Sequence, residues 1–426
     1  MSASQEAADI ARLLIVRLGS MGDIIHTLPA VAILRRAFPG ATIGWAVERR
    51  WASLLSSGAA LAGPRSPEKP LVDIVHIVDT LAWRSALFSG ETWREFRDAL
   101  GQLRDGRYDI AIDFQGAWKS AILAQLSRVP RRIGFRQPRE KPATLFYTQQ
   151  VAARGRHIVE QNISLAEELC GPDFGCLVAP PLSRPGEPAP KRSEGARQGG
   201  GVPQPLYGTP TQHEEFSFPL PRDAAAERAM EQQLHAHGLH SFALVNPGAG
   251  WGAKCWPAER YAEVVRALAV HGLRAIVNFG PGEEQLARDV ERAANAVAPP
   301  ANSVAPPLSR AVFAGQGGDV PLAIALQTTV GELIALCRRA RICIGGDTGP
   351  VHLAAAVGVP VVALFGPTDP ARNRPYSARA IVLRSQVSRT ATSHERDPEA
   401  GLLQITAAEV IASARHLLAQ TSEAPR

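Results

Sequence analysis

The segment LLIVRLGSMGDIIHTLP (residues 13–29) decides how the first half of the chain folds. Its first six residues form a short apolar run, which predicts a buried strand over 13–18. Two glycines then allow a sharp turn, and Asp23 follows at the carboxyl end of the strand, where α/β sheets bind ligands. Asp23 is therefore either the N-cap of the next helix or a group that faces a ligand, and Ser20 and His26 are similarly ambiguous. Because the segment lacks the G-x-G-x-x-G pattern, NAD binding is disfavoured.

Outward from this segment, short apolar runs alternate with amphipathic segments. The alternation predicts βαβ units with parallel sheets, and a second series of runs begins at residue 242, so we expect an α/β protein of two Rossmann-like units. The predicted strands are 13–18, 41–47, 73–78, 109–114, 132–135, 242–246, 274–279, 320–325, 341–344 and 361–365, and the predicted helices are 27–38, 92–103, 118–126, 157–170, 257–270, 283–296, 330–340 and 350–357.

Proline and glycine are concentrated between the two predicted units. Residues 183–215 contain six Pro and six Gly, a composition that buries too little apolar area to offset the entropy of ordering the chain. We therefore expect a disordered linker or insertion over 183–216. It would separate an N-terminal unit, 1–182, from a C-terminal unit, 217–426, which carries a second Pro- and Gly-rich loop near 295–319.

Charge and cysteine content narrow the function classes. The 426 residues include 46 Lys and Arg against 40 Asp and Glu, a mild net charge of +6 without long basic runs, which argues against nucleic-acid binding. An anionic substrate or an anionic membrane face fits this charge. The five cysteines show no zinc spacing and indicate reduced thiols in a cytosolic protein. Without a signal peptide or a run of about 20 apolar residues, we expect a soluble or at most peripheral protein.

Two further motifs follow predicted strands in the second half. NPGAGWGAKCWP (246–257) is a glycine-dense loop with one lysine, which suits a phosphate cradle, although a plain loop is as good a reading of this segment alone. It lacks the ending of a P-loop, so an NTPase is not supported. IGGDTGPVHLAAA (344–356) is a strand, a tight turn and a helix, which directs backbone amides toward an anion. His352 lies one turn into that helix, on the same side.

Taken together, SMGDIIHTLPA, KCWP and GGDTGPVHLAAAVGVPVVALFGPTDP resemble glycosyltransferase family 9, the ADP-heptose lipopolysaccharide heptosyltransferases. The resemblance covers nearly the whole chain apart from the two Pro- and Gly-rich insertions. Within the family, SMGDIIHTLP and REKPATLFY (139–147) are similar to the enzymes that add the first heptose to the inner core.

The resemblance implies a GT-B fold, in which two Rossmann-like lobes with parallel sheets face a central cleft. It implies inverting, metal-independent transfer of heptose from ADP-heptose to the Kdo of Kdo-lipid A, without a cofactor, at the cytoplasmic face of the inner membrane. Asp23 matches the catalytic base. The matching donor-binding positions are Lys254, Asp347, Thr348, Gly349 and His352, with Glu283 or Glu284 for the ribose, and the acceptor-binding candidates are Ser20, Gly22, Lys119 and Arg139.

Other readings stay open at this point. A member of the same family could act on a later core acceptor, such as the one that receives the second heptose, or use another nucleotide sugar. A non-catalytic nucleotide-sugar-binding protein or a sugar-nucleotide epimerase could share the architecture. The presence of Asp23 disfavours the former, and the lack of an identifiable set of further acid and base residues disfavours the latter.

Overall fold

The computed structural model describes residues 10–58, 61–86, 89–170, 216–248, 250–296, 320–390 and 397–423. These residues form two compact units, and residues 216–223 group with the first, so the second begins at Ala224. Two bonds tie this short segment to the first unit: Arg222 N donates to Pro67 O (2.8 Å), and Ser57 Oγ donates to Arg222 O (2.7 Å). The predicted linker at 183–215 and most of the predicted loop at 295–319 lie outside the described residues.

Within the described ranges, the first unit is built on a six-stranded sheet of order β3-β2-β1-β4-β5-β6, with every pair parallel. The order reverses between β1 and β4, which creates a switch point where ligands bind in open α/β sheets. The strands are β1 (Arg12–Val16), β2 (Thr42–Val47), β3 (Ile74–Ile77), β4 (Ile110–Asp113), β5 (Arg131–Phe135) and β6 (Gln149–Val151). The helices are α1 (Met21–Ile25), α2 (Leu28–Ala37), α3 (Thr80–Ser85), α4 (Gly90–Asp105), α5 (Trp118–Leu126) and α6 (Ile158–Cys170).

The described part of the second unit repeats this topology. Read from the edge that corresponds to β3, its sheet has the order β9-β8-β7-β10-β11-β12, again parallel throughout. Its switch point lies between β7 and β10. The strands are β7 (Phe242–Asn246), β8 (Arg274–Phe279), β9 (Ala323–Gln327), β10 (Ile342–Gly346), β11 (Val361–Phe365) and β12 (Ala380–Arg384). The helices are α7 (Ala224–Ala236), α8 (Ala258–Ala269), α9 (Glu284–Asn295), α10 (Val330–Arg339), α11 (Gly349–Ala356), α12 (Pro370–Asn373) and α13 (Ala407–Glu423).

Helices cover the sheets, so the central strands are buried on both faces and are nearly continuous apolar runs. All residues of β7, β8 and β11 are buried, and these three strands have the predicted bounds. The other seven predicted strands are also present, with shifted ends. The prediction missed the edge strands β6 and β12, the former because a three-residue QQV segment has no apolar pattern. None of the described helices is both long enough and apolar enough to cross a bilayer.

Candidate active site

Asp23 lies just beyond the carboxyl end of β1, in the short helix α1. Ser20, not Asp23, is the N-cap of this helix, so the N-cap interpretation of Asp23 is wrong. Asp23 is the third helical residue, and its Oδ2 accepts a bond from Ser20 N at 3.1 Å, which holds the loop closed. About a third of the Asp23 side chain (34%) stays exposed, while Gly22 is buried behind it. The carboxylate is thus fixed in direction and open to a ligand.

Arg17, which the sequence analysis did not single out, fixes the other oxygen of Asp23. Its Nη2 lies 2.6 Å from Asp23 Oδ1, although the Arg17 side chain is only 5% exposed. The same guanidinium donates through Nη1 to the carbonyl oxygen of Phe114, in the turn after β4. A buried arginine needs such partners, because an uncompensated charge in the interior is costly. The first switch point therefore holds a carboxylate whose two oxygens are each anchored by one partner.

In the second unit, Asp347 directly follows β10, the strand that corresponds to β4, and forms the centre of a buried network. Its Oδ2 accepts bonds from Lys254 Nζ (2.7 Å) and Thr368 Oγ1 (2.7 Å), and its Oδ1 lies 3.1 Å from His352 Nε2. Burial alone would raise the pKa of Asp347, but the bond from His352 and the charge of Lys254 outweigh it and hold the pKa well below its usual range. Asp347 is therefore ionised, as its donors require.

Lys254 ends a short 3₁₀ helix, Gly252–Lys254, in the glycine-dense loop after β7. Its Nζ also reaches Asp347 O (3.1 Å) and lies 4.8 Å from the centre of the Trp251 ring, a cation–π distance. Gly346 lets the loop approach β10 this closely, since a Cβ there would stand 3.0 Å from Lys254 O. The structure thus brings together Lys254, Asp347 and His352, three of the residues that the family resemblance marks for donor binding.

Helix α11 begins beside this network. Thr348 is its N-cap in an extended conformation, Gly349 is its first residue, and Pro350 follows at a position where a missing N–H costs nothing. The first amides of the helix have no partner within the helix and carry the positive end of its dipole. With Lys254 next to them, they form a set of donors that suits a diphosphate.

The structure distinguishes between the two glutamates left open by the sequence. Glu283 caps α9 and accepts a bond from Gly280 N (3.0 Å), and its carboxylate lies so close to Gly248 that a Cβ there would collide with it. Glu284 instead points outward, two-thirds exposed (66%), with Arg288 3.8 Å away. Only Glu283 therefore faces the loop after β7.

Lys119 and Arg139 lie on adjoining segments of the first unit. Gly116, at a φ of +64°, packs against the backbone of Arg139, and Glu140 accepts a bond from Trp118 N (2.9 Å) at the start of α5. The two side chains diverge: Lys119 Nζ lies 3.5 Å from Thr80 Oγ1, whereas Arg139 is exposed. The structure shows no direct contact between these two described side chains, but both belong to the face at the carboxyl ends of the strands.

Sequence reasoning missed Arg17 and Thr368 as members of these networks. Thr368 lies in the FGPTDP turn after β11, and its contact with Asp347 could have been inferred from the proximity of β10 and β11. Arg17 is the one charged residue in an otherwise apolar run, which is a signal that such a charge has a buried partner. Among the residues that the structure describes, no three His, Cys, Asp or Glu side chains gather into a metal-binding group.

Two parallel six-stranded sheets of the same strand order define an α/β protein of the GT-B fold class, so the predicted fold class of two Rossmann-like units is confirmed. The chain belongs to glycosyltransferase family 9 (heptosyltransferase), whose family model matches residues 97–184 and 204–403, more than half of the chain. It is an enzyme of that family.

Individual relatives agree with this assignment. The chain is 28% identical over 384 residues to lipopolysaccharide heptosyltransferase 1 of Pseudomonas aeruginosa. This alignment covers 88% of this chain and 84% of the relative. It is 25% identical over 406 residues to lipopolysaccharide heptosyltransferase 3 of Escherichia coli, covering 93% and 96% of the two chains. The solved structure of the E. coli heptosyltransferase WaaC with ADP shares the fold, with a TM-score of 0.65 and 24% identity over 95% of this chain and 99% of that one.

Proposed function

We propose that this protein transfers a heptose from ADP-heptose to the Kdo of Kdo-lipid A, with inversion at the anomeric carbon, in lipopolysaccharide core synthesis. The observation that carries the proposal is Asp23, a carboxylate held by Arg17 at a switch point and still open to a ligand. The names of the relatives support the substrates: two are lipopolysaccharide heptosyltransferases, and a structural neighbour contains ADP.

In this mechanism Asp23 is the general base. It would accept the proton of the acceptor hydroxyl as that oxygen attacks the anomeric carbon, a contribution typically worth about 10²–10⁴ in rate. Arg17 and Ser20 N would keep the carboxylate aimed while each oxygen retains a lone pair for the proton. The exposed Ser20 would line the path of the acceptor hydroxyl, and the buried Gly22 would shape the loop behind it.

The second unit would bind the donor and stabilise the leaving ADP. Lys254 and the amides at Thr348 and Gly349 would take the charge that develops on the diphosphate, with Asp347 and His352 orienting Lys254. Glu283 would accept bonds from the ribose hydroxyls. We propose that no metal takes part, because the carboxylate of Asp347 already accepts from three side chains and the diphosphate has its own cationic partner.

For the acceptor, Lys119 and Arg139 would contact the anionic groups of Kdo-lipid A. Arginine binds carboxylates and phosphates through two parallel hydrogen bonds, which suits the exposed guanidinium of Arg139. Because Kdo-lipid A is a membrane lipid, we propose that the protein works as a peripheral protein on the cytoplasmic face of the inner membrane.

A later acceptor is the second candidate. The chain also resembles a lipopolysaccharide heptosyltransferase 3, at an identity only slightly lower than for heptosyltransferase 1. The resemblance of the N-terminal motif SMGDIIHTLP to the first-heptose enzymes is the reason for preferring the first-heptose reaction.

The test is an assay of the purified protein with ADP-heptose and either Kdo-lipid A or an acceptor that already carries one heptose. ADP release and the mass of the glycolipid product are measured, with UDP- and GDP-sugars as donor controls and Asp23→Asn as the enzyme control. We expect one heptose to be added to Kdo-lipid A from the ADP sugar alone. If the enzyme prefers the acceptor that already carries one heptose, it acts at the later step. If neither acceptor gives a product, the proposed function is refuted.

A further inference from the structure

Asp113, the last residue of β4, is a buried carboxylate that the proposed mechanism does not use. Its Oδ1 accepts bonds from Gln115 N (2.9 Å) and Gly116 N (3.2 Å), and its Oδ2 accepts from Ser120 Oγ (2.8 Å) and Tyr147 Oη (2.8 Å). All four donors are neutral. Burial raises the pKa of this carboxyl, and the four hydrogen bonds oppose that shift. Asp113 thus fixes the shape of the turn over residues 113–116.

This turn is bonded directly to the segment that leads to Asp23. Gln115 Oε1 accepts a hydrogen bond from Leu18 N (2.9 Å), and the carbonyl oxygen of Phe114 accepts one from Arg17 Nη1. The other end of the Arg17 guanidinium is the group that lies 2.6 Å from Asp23 Oδ1. A continuous set of hydrogen bonds therefore runs from Asp113 through the turn and Arg17 to Asp23.

We propose that Asp113 and Gln115 are positioning residues, which set the orientation of the base Asp23 through Arg17 and Leu18. The inference rests on the proposed function, in which Asp23 is the base. Neither residue touches the reacting atoms in this account.

The planar guanidinium of Arg17 couples the position of the turn to the orientation of the Asp23 carboxylate. Its Nη atoms lie in one rigid plane, so the bond from Nη1 to Phe114 O fixes the direction in which Nη2 points. If the turn shifts, the guanidinium rotates and the carboxylate of Asp23 rotates with it. A displacement of about 1 Å at a reacting group lowers the rate about 10²-fold.

The variants that test the proposal are Gln115→Ala, Gln115→Glu and Asp113→Asn. Gln115→Ala removes the acceptor for Leu18 N, whereas Gln115→Glu keeps an acceptor oxygen at the same distance along the side chain. Tyr108→Phe is the matched control, because it deletes a buried hydroxyl of the same unit that bonds His76 Nε2 (2.6 Å), away from the turn. All variants are made in the full chain.

The kinetic measurement is kcat and the KM for ADP-heptose with saturating acceptor. Gln115→Ala and Asp113→Asn should lower kcat about 10–100-fold and leave this KM within about twofold, since donor-binding groups lie in the other unit. Gln115→Glu should retain most of the wild-type kcat, and the kcat of Tyr108→Phe should equal that of wild type. In an Arg17→Lys background, Gln115→Ala should add little further loss. Unchanged kcat, or additive losses with Arg17→Lys, would overturn the proposal.

Crystal structures of wild type and Gln115→Ala provide a readout that needs no activity. We expect the pair between Arg17 Nη2 and Asp23 Oδ1 to be broken in the variant and retained in Tyr108→Phe, and an intact pair in Gln115→Ala would overturn the inference. If wild type transfers no heptose, the proposed function fails, but these structures still decide whether the turn orients Asp23.

Discussion

Asp113 is the last residue of β4 and Asp347 directly follows β10, so both lie at the carboxyl end of the fourth strand of their unit, yet they have different electrostatic surroundings. Asp113 is surrounded by four neutral donors, and burial raises its pKa. Asp347 is equally buried but faces Lys254 and His352, and its pKa is held well below the usual range.

The difference shows how one topology serves two tasks. A carboxylate with four neutral donors shapes a loop but holds no basic side chain that could meet an anionic ligand. A carboxylate bonded to a lysine and a histidine holds both side chains in place, and the lysine supplies a positive charge that a diphosphate can meet. In the first unit the partly exposed carboxylate near the switch point is instead Asp23. We therefore propose that proton transfer takes place at the first unit and charge stabilisation at the second, and the following substitutions test that division.

Asp23→Asn should have the largest effect. An amide cannot accept the proton of the acceptor hydroxyl, so kcat should fall by about 10²–10⁴. The measurement is product formation at saturating donor and acceptor, with Asp105→Asn, an aspartate at the end of α4 away from the switch point, as the control. A kcat near that of wild type would remove Asp23 as the base.

Asp347→Asn should destabilise the second unit, because it leaves the partly buried Lys254 without its counter-charge, at a cost of about 3 kcal/mol. Since the pKa of Asp347 is lower in the folded protein than in the unfolded chain, its stabilisation is present above about pH 4 and is lost as pH falls below that value. Urea unfolding at pH 7 and pH 3 should show a large difference between variant and wild type at pH 7 and a smaller one at pH 3. An equal difference at both would contradict the ionised pair.

Lys254→Met should weaken ADP binding. Loss of one charge-assisted bond costs about 1.5–3 kcal/mol, which is about 10–150-fold in the dissociation constant. Calorimetric titration with ADP measures the change, and Lys69→Met, which removes a lysine of the first unit, serves as the comparison. Equal dissociation constants for ADP in the two variants would refute the assignment of Lys254 to the diphosphate.

Glu283→Gln and Glu284→Gln form a matched pair with the smallest expected effect. Only the Glu283 carboxylate lies against the loop after β7, so its substitution should raise the KM for ADP-heptose several-fold, about 1 kcal/mol, and the neighbouring change should not. A larger effect from Glu284 would reverse the choice that the geometry makes.

The sequence predicted the architecture well because parallel strands buried on both faces leave continuous apolar runs. Ten strands and the strand–turn–helix placement of Asp23 and Asp347 follow from that signal. The edge strand β6 could not be found, since two glutamines in three residues carry no such pattern.

The long-range pairings within the sites were harder to predict. Nothing local in the sequence pairs Arg17 with Phe114 O or links Gln115 to Leu18, because these contacts join residues 97 positions apart and arise only once β1 and β4 are neighbours. The choice between Glu283 and Glu284 likewise depends on which side chain the turn before α9 directs toward Gly248. Spacing alone does not encode that direction.

The most direct test of the division between the two units is ADP titration of Asp113→Asn and Asp347→Asn side by side. Both substitutions remove one buried carboxylate charge after the fourth strand of a sheet. We predict that Asp113→Asn binds ADP within about twofold of wild type, whereas Asp347→Asn binds it at least about tenfold more weakly, because Lys254 and His352 lose their anchor. Equal weakening of ADP binding by the two substitutions, or weakening by Asp113→Asn alone, would contradict the account.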